Sequence, residues 1–208
     1  MRIEFLSPNP DRSGRHTLRL ENGETLRLYR QTIEDFGMYA GLELGEDQLN
    51  KLRNAAGEMS AKMRAVRIVS ATSVSRRDLE ERLVHKGESA DHARQAVQWM
   101  EDLHLVDDRS TAEQVVHSCI SKGYGLARAK QALYEKRIPK AYWEDALADY
   151  PDQSDKIQSF LRSRLDPDSD QREVKRAVDA LLRRGHSYSQ IRRGLERLQL
   201  DTDEFLEE

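Results

Sequence analysis

A mainly helical chain of tandem three-helix repeats, forming an elongated curved body behind a small N-terminal β-hairpin or sheet, is the fold this sequence predicts. Three observations carry the prediction. A hairpin signal stands near the start, helical apolar spacing follows it, and from about residue 60 the sequence repeats itself about every 48 to 50 residues.

The hairpin is "RHTLRLENGETLRLYR", residues 15–30, with Leu18 and Leu20 on one arm, Leu26 and Leu28 on the other, and Asn22-Gly23 between them. A two-residue loop would put the two leucine pairs on opposite faces. A three-residue loop, Glu21-Asn22-Gly23 with Gly23 left-handed, pairs Leu18 with Leu26 and unites all four, so it is the preferred register. "IEF" at 3–5 supplies a third strand, because a lone hairpin is only marginally stable. "TIEDFGMYAGLELG" reads as a short helix closed by glycine. "GEDQLNKLRNAAGEMSAKMRAVRIVS" then sets Leu49, Leu52, Ala56, Met59, Met63 and Val66 at steps of three and four, one long amphipathic helix with Gly57 as its weak point.

The repeat emerges when Gly87, Arg137 and Gly185 are aligned. Leu79 then matches Ala129 and Ala177, and Leu83 matches Leu133 and Leu181. In the next helix Ala93, Trp143 and Ile191 align, followed by Val97, Leu147 and Leu195. Three helices per unit are expected: 60–71, 75–86 and 89–104; then 108–121, 124–136 and 139–149; then 152–164, 170–184 and 187–198. Gly87, Gly123, Gly125, Pro139, Pro151, "DPDSD" and Gly185 fall between helices, where such residues belong. The expected organisation is an N-terminal hairpin region with a short helix at 1–45, a long helix and first repeat at 46–105, a second repeat at 106–151, a third at 152–200, and an acidic tail at 201–208.

Composition narrows the chemistry. Charged residues make up 34% and the mean hydropathy is −0.81, a balance of solvated helix surface more than of an oily enzyme core. The start "MRIEFLSPNPDR" lacks the basic opening and apolar run of a signal peptide, and no stretch approaches a membrane span, so a cytoplasmic protein is expected. The single cysteine, Cys119, excludes an intramolecular disulfide and a thiolate zinc site, and its spacing from Val115 makes it a small core residue. His85, His92 and His104 are not spaced to share a helix face, and "GYG" at 123–125 is too short to cradle a phosphate. No catalytic residue, metal site or cofactor is expected. The acids of "EDLHLVDDRSTAEQVV" mark a seam at an exposed helix edge: Leu103 and Leu105 finish one unit's packing, and Val115 and Cys119 return to the core of the next. Between them Asp107 or Asp108 caps the following helix, or Ser110 and Glu113 form a capping box two residues later. "LQLDTDEF" echoes that seam at the tail.

Basic residues recur on the middle helix of each unit. Arg76 and Arg77, then Arg128, Lys130, Lys136 and Arg137, then Lys175, Arg176, Arg183 and Arg184, joined by Arg192 and Arg193, are the candidate partner- or DNA-binding residues. From Arg172 to Arg197 eight Lys or Arg face three acids, and the tail "DTDEFLEE" adds five acids, so the net charge of −3 conceals a local basic patch. Such residues either form a stripe suited to phosphates or an acidic groove, or are ordinary solvated faces with i,i+4 ion pairs.

The ordered set of motifs resembles the RecX family, bacterial modulators of the RecA recombinase. "SRRDLEERLVHKG" is similar to the family's basic Ser/Arg start, Glu-Leu core and closing Lys-Gly; "LHLVDDRSTAEQVV" resembles its Leu-x-Asp-Asp-x-x-x-Ala junction; and "KGYGLARAKQALYEKRIPKAYWEDAL" resembles the next segment. Arg137 stands where the family commonly has glycine, and Thr111 where an aromatic residue is common. The similarity is clearest over 60–150, softer over 151–200 and weak before 60. The resemblance implies a monomeric, non-enzymatic regulator in DNA repair, homologous recombination and the SOS response. Its repeats would lie along the groove of the RecA filament on single-stranded DNA and lower ATP hydrolysis, strand exchange and assisted repressor cleavage. A direct binder of single-stranded or duplex DNA, presenting basic helix faces, is the alternative. The hairpin would dock on the first repeat or make its own contact.

Overall fold

The structure, a computed structural model, describes residues 1–166 and 168–198; the acidic tail and the "LQLDTDEF" echo from residue 199 onward lie outside the described residues. The fold is mainly α with a small three-stranded antiparallel sheet. Contacts divide the chain into two compact units, Met1–Asp107 and the part from Asp108 onward.

In the first unit β1 (Ile3–Leu6), β2 (Arg15–Leu20) and β3 (Thr25–Tyr29) lie in chain order. Leu18 pairs with Leu26, as the three-residue loop requires. Gly23 takes a left-handed φ of 84°, and its N–H donates to the Leu20 carbonyl at 2.9 Å. The Asn22 side chain accepts the Glu24 N–H at 2.9 Å and fixes the turn. That register puts Leu18, Leu20 and Leu28 wholly out of solvent with Leu26 packed against them, each buried leucine contributing about 2 kcal/mol. The short helix α1 (Arg30–Asp35) ends at a left-handed Gly37, with the Met38 N–H reaching back to Ile33.

The long helix α2 (Glu46–Ala71) departs from the expected single stripe. Leu49, Leu52 and Ala56 close the sheet core, but the buried positions then become Ala61, Ala65 and Ile68, while Met59, Met63 and Val66 are only half-buried. Five residues from Ala56 to Ala61 rotate the buried face by about 140°. The cause is α4 (Ala90–Asp102), whose fully buried Ala93 and Ala96 share a core with Ala61 and Ala65, because small side chains let two helices approach closely. Gly57 is likewise more than a weak point. A Cβ there would strike the His92 ring, which lies against the helix with a ring nitrogen 3.0 Å from Asn54 Oδ1.

α3 (Arg76–His85) and α4 begin at serines, Ser75 and Ser89, whose hydroxyls accept the Asp78 and His92 N–H groups at 3.1 and 3.2 Å, each cap contributing about 1 kcal/mol. α4 closes on His104, left-handed at φ 56° without being glycine. Here the seam differs from expectation: Leu103 and Leu105 are 48% and 54% exposed, and Met100 and Val106 fill the core instead. The left-handed turn draws the Leu105 N–H back to the Met100 carbonyl and carries the two leucine side chains outward.

The second unit opens with α5 (Asp108–Ser121). Asp107 therefore occupies the position before the first helical residue, and Ser110 lies inside the helix, so the Ser110–Glu113 box is not the start signal. Asp108 is 6% exposed, in contrast to the exposed edge expected for both acids. α6 (Leu126–Glu135) follows, then a 3₁₀ turn at Lys140–Tyr142 and a short α7 (Trp143–Leu147) where a full third helix was expected. Trp143 Nε1 donates to the Ile138 carbonyl at 3.0 Å, and the half-buried indole packs against the core of Ala112, Val116, Leu133 and Ile138. α8 (Ser154–Arg162), α9 (Gln171–Arg183) and α10 (Tyr188–Glu196) complete the unit, with capping boxes at Asp170–Glu173 and Ser187–Gln190.

Gly87, Arg137 and Gly185 prove conformationally equivalent, at φ 92°, 55° and 84°. After α3, α6 and α9 the same two reverse bonds form, the second one ending on the carbonyls of Leu83, Leu133 and Leu181. Each of those leucines is at most 1% exposed.

Candidate interface

The basic side chains are positioned by this repeated helix–turn frame. α9 shows how. At 100° per residue, Lys175, Arg176 and Arg183 fall within about 60° of Arg172, and the buried Val174, Ala177, Val178 and Leu181 fall on the opposite side. All four cations are exposed and none has a carboxylate partner among the described residues; Asp179, half-buried, is the acid in the same sector. Arg172 was missed as a candidate because it precedes the middle-helix cluster by three residues, yet one helical turn places it on the same face.

The other candidates are distributed differently. Arg76 pairs with Glu101 at 3.1 Å and Arg77 with Glu81 at 3.1 Å, at the N-terminal end of α3. Arg128 reaches along α6 to Glu135 at 2.9 Å, and that guanidinium bond holds the Glu135 carboxyl below the usual range. Lys130 is exposed on α6, while Lys136 and Arg137 close it. Arg192 pairs with Glu196 at 3.0 Å, and Arg193 donates to the Ser189 carbonyl at 3.2 Å. Exposed pairs of this kind contribute about 0–1 kcal/mol each, so an incoming acid can replace the intramolecular one at little cost. Arg184 is set apart: its guanidinium stacks 4.5 Å from the Phe160 ring centre, with Arg164 4.8 Å from the same ring. Recurrence is partial. Counted from the left-handed residue, Lys86, Lys136 and Arg184 occupy one position in all three units, whereas Arg77 matches only Lys175, and Arg128 only Arg176.

Within the second unit the second and third repeats meet at two glycines. The Gly125 N–H donates to the Arg184 carbonyl at 2.8 Å, and a Cβ on Gly125 would land on the Gly185 carbonyl. His186 is buried beside them, a ring nitrogen 3.0 Å from the Gly123 carbonyl and Nδ1 without a partner among the described residues. "GYG" is thus a helix stop and a docking surface for the next repeat. Cys119 is buried, which pushes its thiol pKa up and away from nucleophilic use. Tyr150, whose hydroxyl donates to the Tyr124 carbonyl at 2.7 Å, is pushed up to about 12 by burial. Among the described residues no three His, Cys, Asp or Glu side chains are grouped as a metal ion would need, and no helix is long and apolar enough to cross a membrane.

Residues 107–147 match a family model described as RecX, second three-helix domain. The regulatory protein RecX of Vibrio parahaemolyticus is 26% identical over 142 residues, covering 67% of this chain and 92% of that protein. The regulatory protein RecX of Streptococcus gordonii is 22% identical over 193 residues, 91% of this chain and 75% of that one. Among solved structures, a crystal structure of regulatory protein RecX superposes with a TM-score of 0.60 at 20% identity, covering 95% of this chain and 98% of the other, a likeness of fold.

Proposed function

The chain belongs to the RecX family of regulatory proteins, and from that premise we propose that it binds the RecA filament on single-stranded DNA and lowers its ATPase, strand-exchange and coprotease activities. In this reading it acts without catalysis of its own, as a cytoplasmic monomer, in recombination and the SOS response. The observation that carries the reading is the similarity to regulatory RecX proteins across most of the chain. The basic face of α9 supports it, since four exposed cations opposite a committed core are free to meet an acidic protein groove.

The second reading, direct DNA binding, rests on the same face, because phosphates would also select it. One titration separates the two. RecA ATPase on single-stranded DNA should fall as substoichiometric amounts of this protein are added. An unchanged ATPase rate together with tight, sequence-dependent binding of the protein alone to duplex DNA would sink the regulator reading.

A further inference from the structure

A second basic feature lies in the first unit and shares only Lys86 with the basic residues compared above. Arg15 at the start of β2, Arg64 and Arg67 on α2, Arg82 on α3 and Lys86 just after it line one cavity of about 460 Å³. Five cations around one space repel one another unless something neutralises them.

The protein neutralises three. Asp11 takes Arg15 through Nε and Nη2 at 3.2 and 3.0 Å, Glu88 takes Arg64 Nε at 2.7 Å, and Asp78 takes Arg82 Nε at 2.9 Å. Backbone N–H donation by Arg15 holds the Asp11 carboxyl below its usual range, so it stays ionised. Glu88 and Asp78 each engage only Nε, and the terminal amino groups of Arg64 and Arg82 have no hydrogen-bond partner among the described residues. Arg67 is held by neutral acceptors, the Tyr29 hydroxyl at 2.7 Å and the Met63 carbonyl at 3.1 Å. Lys86 has no carboxylate partner among the described residues. Five cations less three carboxylates leave two positive charges, with guanidinium forks and an ammonium available as donors. One wall is apolar, formed by Ile68 and Ala71.

We propose that this cavity binds a small phosphorylated anion of two or more charges, of the nucleotide polyphosphate class. The surplus charge matches a di- or polyanion. The donor set is the planar, charge-assisted kind that phosphate oxygens select, and the volume lies in the range of about 300–1,000 Å³ usual for small-ligand sites. The wall of Ile68 and Ala71 gives a base or ring somewhere to lie.

The test uses the full chain and three probes, sodium pyrophosphate, ATP and a fluorescein-labelled oligo-dT, read by thermal shift and by anisotropy. At matched ionic strength, pyrophosphate and ATP should raise the melting temperature where sodium chloride does not. ATP binding tighter than pyrophosphate assigns the ligand as a nucleotide; equal binding assigns it as the phosphate group alone. The double variant R67Q/K86Q should weaken both by at least about tenfold, with K51Q/R94Q unchanged. A71E, which sets a carboxylate at the rim, should block both probes independently should the double variant fold poorly. No stabilisation by either anion, undiminished binding in folded R67Q/K86Q and A71E, or binding of the oligonucleotide alone would each overturn the proposal.

Discussion

His186 is held neutral by its surroundings. Burial is the main cause that lowers its pKa from the ordinary value of 6.5, the neighbouring Arg184 adds to it, and the Gly123 carbonyl opposes it. With Nε2 donating to that carbonyl, a second proton would go to the buried Nδ1, which has no partner among the described residues. A depressed folded pKa means that the unfolded chain binds the proton first. The contribution to stability is therefore intact above about pH 6.5 and is lost as pH falls from there through the folded value. The urea midpoint should drop between about pH 7.5 and pH 5.5 in the wild type, and His186→Gln should flatten that slope; equal slopes would show that the group titrates normally. Among the described residues, His104 and Arg137 stand in the left-handed region without being glycine. Glycine at either should raise stability by about 0.5–1 kcal/mol, the relieved backbone strain less the added unfolded-state entropy, measured by chemical denaturation. The left-handed turn at Arg137 was legible in the sequence only through its alignment with Gly87 and Gly185. That at His104 was invisible, since neither its residue type nor its neighbours announce it, and the exposure of Leu103 and Leu105 follows from it.

α9 is the element on which the functional reading leans. Its core positions and its cations occupy opposite sides, so charge can be reversed without touching packing. Lys175→Glu, Arg176→Glu and Arg183→Glu together should leave the circular dichroism spectrum unchanged and weaken inhibition of the RecA ATPase by at least about tenfold. Full inhibition by the folded triple variant would remove this face from the interface. Arg184 is better left in place, because its stack on Phe160 ties it to the third repeat's packing. The element scale also shows how alanine hides structure. The apolar spacing of α2 announced a helix of the observed length, but its second buried face is built on Ala61 and Ala65, too weakly apolar to compete with Met59 and Met63 in a sequence pattern. The short α7 has a similar origin, since Trp143 marks the right core position without revealing how few turns accompany it.

For the whole molecule, the helical repeat and the N-terminal sheet were legible because separate signals agreed: turn glycines and leucines one period apart specify the same frame. The candidate face was legible only as composition. Which cations share a side depends on helix phase and on the carboxylates that reach them from other elements, as Glu101 reaches Arg76. The anion cavity could not have been read at all, since its five cations are spread from Arg15 to Lys86 and meet only after the sheet, α2 and α3 pack. In the proposed reading this chain recognises the RecA filament itself. It is tested most directly by the anisotropy of the labelled protein titrated against RecA filaments on single-stranded DNA, and against the same DNA without RecA. Binding to the filament should be at least about tenfold tighter than to bare DNA; equal affinity for the two, or none for the filament, would mean that the filament is not what this chain recognises.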